Sequence, residues 1–271
     1  MELYNQFIHK KEKKTMQTTL TQRDIIFRQF QIHKFNRKHM IPAVSMTINV
    51  NASEIIKLKN ALNISNGNVP HITITHIVMK AAADTLIKYP VLYSFFDGKR
   101  IVQNPELMLN IPVDVESHVE YITISCPESK SLSEISSEFS NELHNINSGN
   151  GKFMNFLLSI NNMSLAGKLI FFLKLNGTFN FLREHYGNFP ISNFGSFHID
   201  NGTLALSQPI IAGLCMGAIA PLPGSSEMEK AFLSLTITFD HRAIDGAYAG
   251  RFLNDLKTLL ENPDKIVADG R

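Results

Sequence analysis

A histidine and an aspartate four residues apart are the residues of this chain whose types and spacing could do chemistry. His241 and Asp245 follow a run in which apolar residues alternate with polar ones from Leu233 to Phe239. That alternation predicts a half-buried strand, so a rigid element ends at an imidazole. A free imidazole has a pKa of about 6.5, which suits a general base near neutral pH. Gly246 then permits a tight exit into a helix. The pattern alone leaves open a catalytic base or a surface loop with an incidental histidine.

The overall composition narrows the classes of partner. The chain has 271 residues, and its hydrophobic fraction of 44% suffices for a substantial core. Its formal charge of +2 indicates neither nucleic acid nor an acidic surface as a partner. We expect the lysine-rich residues 1–19 to form a solvated or disordered basic arm and residues 20–271 to form the folded domain. We expect no membrane partner, because no run approaches the roughly 20 apolar residues that a spanning helix needs.

The two cysteines indicate the compartment. Cys126 and Cys215 lie far apart and show neither metal-ligand spacing nor a disulfide framework. Free thiols fit a reducing environment, and the N-terminus lacks the features of a secretory signal peptide. We therefore expect a cytoplasmic protein that needs no metal.

The elements that must position His241 can be predicted from hydrophobic periodicity. We expect helices over 20–40, 53–62, 75–88 and 131–143, and a last one after His241. We expect strands over 44–50, 107–115, 119–125, 189–194, 198–206, 211–219 and 233–239, and a hairpin over 95–102. Residues 145–188 contain Phe-rich helical pieces interrupted by asparagines. Strands and helices alternate without a regular parallel crossover, which predicts a single α+β sandwich.

Further motifs extend along most of the chain. They are Met40-Ile-Pro42, Phe95-Phe-Asp-Gly98, Leu109-Asn-Ile-Pro-Val-Asp114, Lys130-Ser-Leu132, Pro190-Ile-Ser192-Asn193-Phe194-Gly195 and Thr238-Phe-Asp-His241-Arg242-Ala-Ile-Asp245-Gly246-Ala247. In this order, over roughly residues 30–263, the chain resembles the catalytic domain of the acyltransferase component of 2-oxoacid dehydrogenase complexes. The resemblance implies an α+β fold: the two-layer sandwich of chloramphenicol acetyltransferase type, with a mixed sheet and helices on one face.

The resemblance also implies roles for particular residues. It implies an acyltransferase that moves an acyl group between a coenzyme A (CoA) thioester and a thiol or other nucleophile. His241 matches the general base, and Ser192 matches the hydroxyl that stabilises the oxyanion. Asp245 matches a carboxylate that forms a buried salt bridge with an arginine and thereby fixes the histidine loop. Arg37 or Arg28 is the candidate for that arginine. Asn193 and Gly246 are expected to support the site.

The expected partners follow from the same resemblance. We expect a homotrimer with active sites at the subunit interfaces, and acyl-CoA as substrate. This chain has no lipoyl attachment site, so a lipoyl-bearing protein would have to act in trans. Polar residues in the segment Asn262–Arg271 replace an apolar C-terminal knob, which favours a free trimer over a large cage. Two alternatives stay open: a subunit of a 2-oxoacid dehydrogenase complex, or a catalytically silent trimeric scaffold or ligand-binding protein.

One segment departs from the family pattern. Residues 145–188 are expected to be an insertion that replaces a short polar connection. It can pack as plain helices on the sandwich, cover an acyl chain as a lid, or contact a partner or membrane.

Overall fold

The computed structural model describes residues 21–35, 41–65, 70–115, 118–167, 187–221, 231–264 and 266. The strands are β1 (Ala43–Asn51), β2 (Phe95–Phe96), β3 (Ile101–Val102), β4 (Met108–Val115), β5 (His118–Ser125), β6 (Phe189–Asn193), β7 (Ala212–Pro221) and β8 (Ala231–Asp240). The helices are α1 (Gln22–Lys34), α2 (Ser53–Ser65), α3 (Ile74–Leu86), α4 (Leu132–Asn147), α5 (Lys152–Asn161) and α6 (Gly246–Glu261). The basic arm over residues 1–19 lies outside the described residues.

The main sheet is mixed and has the strand order β1-β8-β7-β6-β4-β5. Strand β6 runs parallel to both of its neighbours, β4 and β7. The remaining neighbours, β1 with β8, β7 with β8 and β4 with β5, are antiparallel. Strands β2 and β3 form a separate hairpin whose turn contains Gly98 at φ +92°, the left-handed region that glycine tolerates best. The predicted α+β fold with a mixed sheet is confirmed.

The main core lies between one face of this sheet and the helices. Helix α6 buries a stripe at helical spacing against β1 and β8: Ala249, Phe252, Leu253, Leu256 and Leu260. Helix α3 is almost entirely buried beside it. Each large apolar side chain that is fully buried contributes about 1.5–3 kcal/mol. This packing fixes the ends of β8 and β6, where His241 and Ser192 lie.

Helices α1 and α5 form a second, smaller cluster at the β5 edge of the sheet. Its buried members are Ile26, Phe27, Phe153, Met154 and Leu157. They pack against Val119 and Tyr121, which alternate along β5 with two residues of the main core, Ile122 and Ile124. Alternate residues of a strand point to opposite faces, so this cluster lies on the other face. Helices therefore cover both faces of the sheet at this edge, and not one face as expected. In the described part of residues 145–188, α5 is thus a packed helix, while residues 168–186 lie outside the described part.

One predicted strand is wrong. Residues 198–206 follow a short 3-10 turn over Phe194–Phe197 and do not pair as a strand. His198 adopts a left-handed backbone conformation, with φ +59°. The Leu204 amide donates to the Thr238 Oγ1 at 3.2 Å instead of to a strand partner. Alternating apolar residues at 204 and 206 therefore reflect packing over the sheet. No helix in the described ranges is long and apolar enough to cross a membrane.

Candidate active site

His241 lies in a tight turn directly after β8. The Asp240 carbonyl accepts hydrogen bonds from the amides of Ala243 and Ile244, at 3.0 and 3.2 Å, and closes the turn. The His241 amide donates to the Pro42 carbonyl at 3.2 Å, which ties the turn to the chain entering β1. The Phe239 ring meets the imidazole in an edge contact, with centroids 5.8 Å apart. The sequence prediction that a rigid strand presents this imidazole at its end matches this geometry.

The imidazole faces solvent at a shallow depression of about 420 Å³. The depression is lined by Val91, Ile101, His241, Arg242, Ala243, Ile244, Asp245 and Tyr248. An exposed imidazole at this place is accessible to a substrate, as a general base must be.

Two residues that sequence reasoning did not assign flank His241. Asp240 is 1% exposed, and both of its carboxylate oxygens accept from the Arg242 guanidinium, with contacts at 2.7, 3.0 and 3.3 Å. The Arg242 guanidinium also lies 5.3 Å from the centroid of the Phe96 ring. The signal was present in the sequence, because an acid and a base stand immediately before and after the histidine.

Asp245 is exposed and caps α6. Its Oδ1 accepts from the Tyr248 amide at 2.8 Å, which satisfies one of the free amides of the first helical turn. Gly246 begins α6, and a Cβ added there would make only ordinary contact with the Met46 sulfur. Arg28 is exposed on α1, at the opposite edge of the sheet, so the structure does not bring it to Asp245. Arg37 lies outside the described residues.

Ser192 lies near the end of β6. It is 7% exposed and stands opposite Cys215 of β7 in the parallel register. Burial raises the pKa of the Cys215 thiol to about 12. The next residue, Asn193, donates from its Nδ2 to the Thr75 Oγ1 at 3.0 Å and accepts from the Ser196 amide. Thr75 belongs to the first turn of α3, so this helix holds the end of the strand that carries Ser192.

Within one chain, Ser192 and His241 are far apart. Ser192 is level with Cys215, and Cys215 is level with Thr236 on β8. His241 follows five residues further along the chain. Strand spacings of about 4.8 Å and a rise of about 3.3 Å per residue put the two Cα atoms roughly 20 Å apart. A single reacting carbonyl cannot contact both side chains of one chain.

An apolar cavity of about 250 Å³ lies on the same face of the sheet as Ser192. Its walls include Pro112 of β4, Tyr121 of β5, and Pro190, which precedes Ser192 by two residues. Lys34 of α1 borders it, with the ammonium between 5.2 and 5.9 Å from the centroids of three aromatic rings. Burial lowers the pKa of Lys34 to about 8. Nowhere in the described part of the chain do three or more His, Cys, Asp or Glu side chains meet as a possible metal site.

Comparisons with known proteins define the class of this chain. A family model described as 2-oxoacid dehydrogenases acyltransferase (catalytic domain) matches residues 15–171 and 178–268. The chain therefore belongs to this family. The resemblance read from the sequence motifs is confirmed. The match runs through residues 145–188 apart from 172–177.

Individual relatives agree with the family. The dihydrolipoyllysine-residue acetyltransferase component of the acetoin cleaving system of Bacillus subtilis is 31% identical over 199 residues. That match covers 72% of this chain and 43% of the relative, so the chain spans less than half of that protein's length. The cubic core of a pyruvate dehydrogenase multienzyme complex superposes with a TM-score of 0.72 at 19% identity, covering 95% of this chain and 96% of that one.

A third similar protein is the dihydrolipoamide acetyltransferase of Azotobacter vinelandii. It superposes with a TM-score of 0.70 at 19% identity, covering 93% of this chain and 94% of that one. Its structure was investigated for the roles of a serine, a histidine and an asparagine in the catalytic mechanism of that enzyme. At these identities the two structural likenesses establish the fold.

Proposed function

We propose that this chain transfers an acyl group between a CoA thioester and a thiol or other nucleophile, in a homotrimer. His241 of one subunit is the general base, and Ser192 of a neighbouring subunit stabilises the oxyanion. The observation that carries the proposal is the separation of the two residues by roughly 20 Å within one chain. Because a base and an oxyanion donor must each lie about 3 Å from the reacting groups, a working site needs two copies of the chain.

The spacing of these residues supports the assignment. In the Azotobacter protein the serine precedes the histidine by 52 residues, and the asparagine follows it by four. Here Ser192 precedes His241 by 49 residues, and Asp245 follows it by four. This similar spacing supports Ser192 and His241 as the counterparts of that serine and that histidine, with Asp245 in the place of the asparagine.

The reaction is a direct transfer. The His241 imidazole takes the proton from the acceptor S–H as the sulfur attacks the thioester carbonyl carbon. The carbonyl oxygen becomes an oxyanion, to which the Ser192 hydroxyl donates a hydrogen bond, an interaction worth about 2.7–4 kcal/mol at the transition state. Collapse of the tetrahedral intermediate breaks the bond to the CoA sulfur, which receives the proton from the imidazolium. The products are the acylated acceptor and free CoA.

The cysteines support transfer without an enzyme-bound thioester. A nucleophilic cysteine needs a lowered thiol pKa and access to substrate. Cys215 is 1% exposed, and burial raises its pKa to about 12. Burial also raises the pKa of Cys126, which lies outside both halves of the candidate site.

The cavity on the Ser192 face suggests room for an acyl group longer than acetyl. Pro190 and Ser192 are two residues apart on β6, so their side chains share a face about 7 Å apart along the strand. An acyl chain of about five carbons, extending from a carbonyl at Ser192, would reach the apolar walls. Comparing acetyl-CoA, butyryl-CoA and hexanoyl-CoA as donors tests this. A kcat/KM that falls steadily with chain length would contradict it.

Mixed trimers test the shared site. His241→Ala and Ser192→Ala chains, carrying different affinity tags, are produced together, and trimers with both tags are purified. Any such mixed trimer contains one interface, out of three, at which an intact His241 faces an intact Ser192. Activity should therefore return to about a third of that of the unmodified trimer. The probe reaction is acetyl transfer from acetyl-CoA to dihydrolipoamide. If both residues act from the same chain, mixed trimers stay as inactive as each parent.

The same preparation separates the two alternative functions. A subunit that serves a dehydrogenase complex should acetylate a separate lipoyl domain in its reduced form with a higher kcat/KM than free dihydrolipoamide. A silent scaffold should transfer nothing and should show no thermal stabilisation by CoA, whereas a ligand at 100 times its Kd stabilises by about 2.7 kcal/mol.

A further inference from the structure

The turn that carries His241 is held by an ion pair formed by its two neighbours in sequence. Arg242 donates from its amide and its Nε to Asp240 Oδ1, both at 3.0 Å, and from its Nη2 to Oδ2 at 2.7 Å. Three donors of one residue therefore hold one carboxylate, in the side-by-side geometry that makes arginine–carboxylate pairs strong and directional. The main chain between them is the backbone of His241.

The pair is anchored to the rest of the fold on both sides. Asp240 is buried at the end of β8, and its amide donates to the Ile211 carbonyl at 2.8 Å. The Arg242 guanidinium stacks on Phe96, which belongs to the β2–β3 hairpin and is itself 7% exposed. The imidazole thus projects from a backbone whose position is set by the sheet on one side and by the hairpin on the other.

The pair also neutralises two charges next to the imidazole. Each charge alone would act on His241, because opposite charges favour the protonated ring and like charges disfavour it. The other ionisable groups around the depression are Asp245 in the same turn and Tyr248 of α6, with Arg251 5.9 Å from the Tyr248 ring. The β2–β3 hairpin and the chain before β1 also border His241, but they place only uncharged groups there: the Ile101 side chain and the Pro42 carbonyl. The ion pair directly flanks the base in the sequence.

We propose that Asp240 and Arg242 are positioning residues for His241, which fix its backbone and cancel each other's charge beside the imidazole. The proposal rests on the function proposed above. Neither residue is expected to contact the reacting atoms.

Opposite charge changes test the proposal. In Asp240→Asn the Arg242 charge is left uncompensated, so the pH at which His241 takes up its proton should fall by about half to one unit. In Arg242→Met the Asp240 charge is left uncompensated, so the same midpoint should rise by a similar amount. The midpoint is measured in two ways: by NMR titration of the His241 ring proton, assigned by its absence in His241→Ala, and by the acid limb of kcat/KM for acetyl transfer.

A third variant separates geometry from charge. Arg242→Lys keeps the positive charge but loses the side-by-side contacts, so the midpoint should stay within about 0.2 units while kcat falls about tenfold. The control pair is Glu142→Gln and Lys152→Met, which removes an ion pair of 2.6 Å between α4 and α5. Neither control should move the His241 midpoint.

The outcomes are distinct. Opposite midpoint shifts in the first two variants support the proposal, and a shift in the same direction or no shift in either overturns it, even if the melting temperature falls. If Arg242→Met does not fold, Asp240→Asn and Arg242→Lys decide. Because the NMR titration needs no turnover, a chain inactive toward every acyl-CoA would refute the proposed function without hiding the midpoint shifts.

Discussion

The His241 half and the Ser192 half of the candidate site differ in solvent exposure and in the interactions that hold them in place. His241 projects into solvent from a short turn, and the charged pair of Asp240 and Arg242 holds that turn. Ser192 is almost buried within a strand, and its neighbour Asn193 is held by a neutral hydrogen bond to α3. The first half is accessible and held by an ion pair, and the second half is enclosed and held by a hydrogen bond between neutral side chains.

This contrast matches what the two halves are proposed to do. A base must exchange protons, so it needs access to substrate and a local charge balance that leaves the ring neutral. An oxyanion donor must only stay in place, and its hydrogen bond is stronger where water is excluded.

Replacing the proposed general base should lower kcat more than any other change. His241→Ala should lower kcat for acetyl transfer by about 10² to 10⁴-fold, the usual contribution of a general base. It should also abolish the acid limb of the pH–rate profile, which steady-state kinetics between pH 5 and 9 would show. His144→Ala is the matched control, because His144 is also exposed but lies in the last turn of α4. Loss of activity in the control would point to a general effect of removing a histidine.

Replacing the proposed oxyanion donor should lower kcat somewhat less. Ser192→Ala should lower kcat by about 10² to 10³-fold and leave the pH–rate profile in place, since the base is intact. Ser234→Ala is the control: its hydroxyl is also buried, on β8, and makes no hydrogen bond with described residues. An unchanged kcat in Ser192→Ala would remove this residue from the mechanism.

The two halves also differed in how far the sequence predicted them. The alternation before His241 and the stripe of α6 are local patterns, and the structure places both as expected. Ser192 has no such pattern. Its role came only from a resemblance in motifs, because a serine in a strand looks the same whether or not an oxyanion forms beside it.

The features that could not be predicted from the sequence depend on contacts between distant segments of the chain. The distance between Ser192 and His241 follows from the register across β6, β7 and β8, which no local pattern encodes. The expected strand over residues 198–206 failed for a similar reason, since the Leu204 amide bonds to a side chain of β8. Asp240 and Arg242 were visible in the sequence, but only the fold shows that the acid is buried.

Acidic pH should lower the free energy of unfolding through His76, a residue of helix α3, which holds the Ser192 half of the site. His76 is buried near the start of that helix, and its Nδ1 accepts from the Thr73 amide at 3.3 Å. Burial, with a smaller effect of His71, lowers the pKa of His76 to about 4. The unfolded chain therefore binds the proton first as the pH falls below about 6.5. The free energy of unfolding should therefore be highest above pH 6.5 and should fall by roughly 3 kcal/mol by pH 4, since each unit of pKa difference is worth about 1.4 kcal/mol.

Urea unfolding across this pH range measures the decline. His76→Gln keeps a residue that can accept the same hydrogen bond, as glutamine does at this position of a capping box, but removes the titration. It should flatten the pH dependence relative to the unmodified protein. His71→Gln, at an exposed neighbouring position, should leave the dependence nearly unchanged. Identical pH dependence in His76→Gln and the unmodified protein would assign the decline to other groups.

The smallest effects should come from Asp245, in the His241 half. As a helix cap, Asp245 should tolerate Asp245→Asn, because asparagine caps about as well as aspartate, whereas Asp245→Ala should cost about 1 kcal/mol of stability and a few-fold in kcat. A buried salt bridge with an arginine would give another result: removing one charge of such a pair costs about 3–5 kcal/mol. Thermal unfolding of the trimeric Asp245→Asn variant therefore distinguishes the two roles. A large loss would mean that Asp245 gains an ionic partner in the assembled protein, and both halves of the site would then depend on buried contacts.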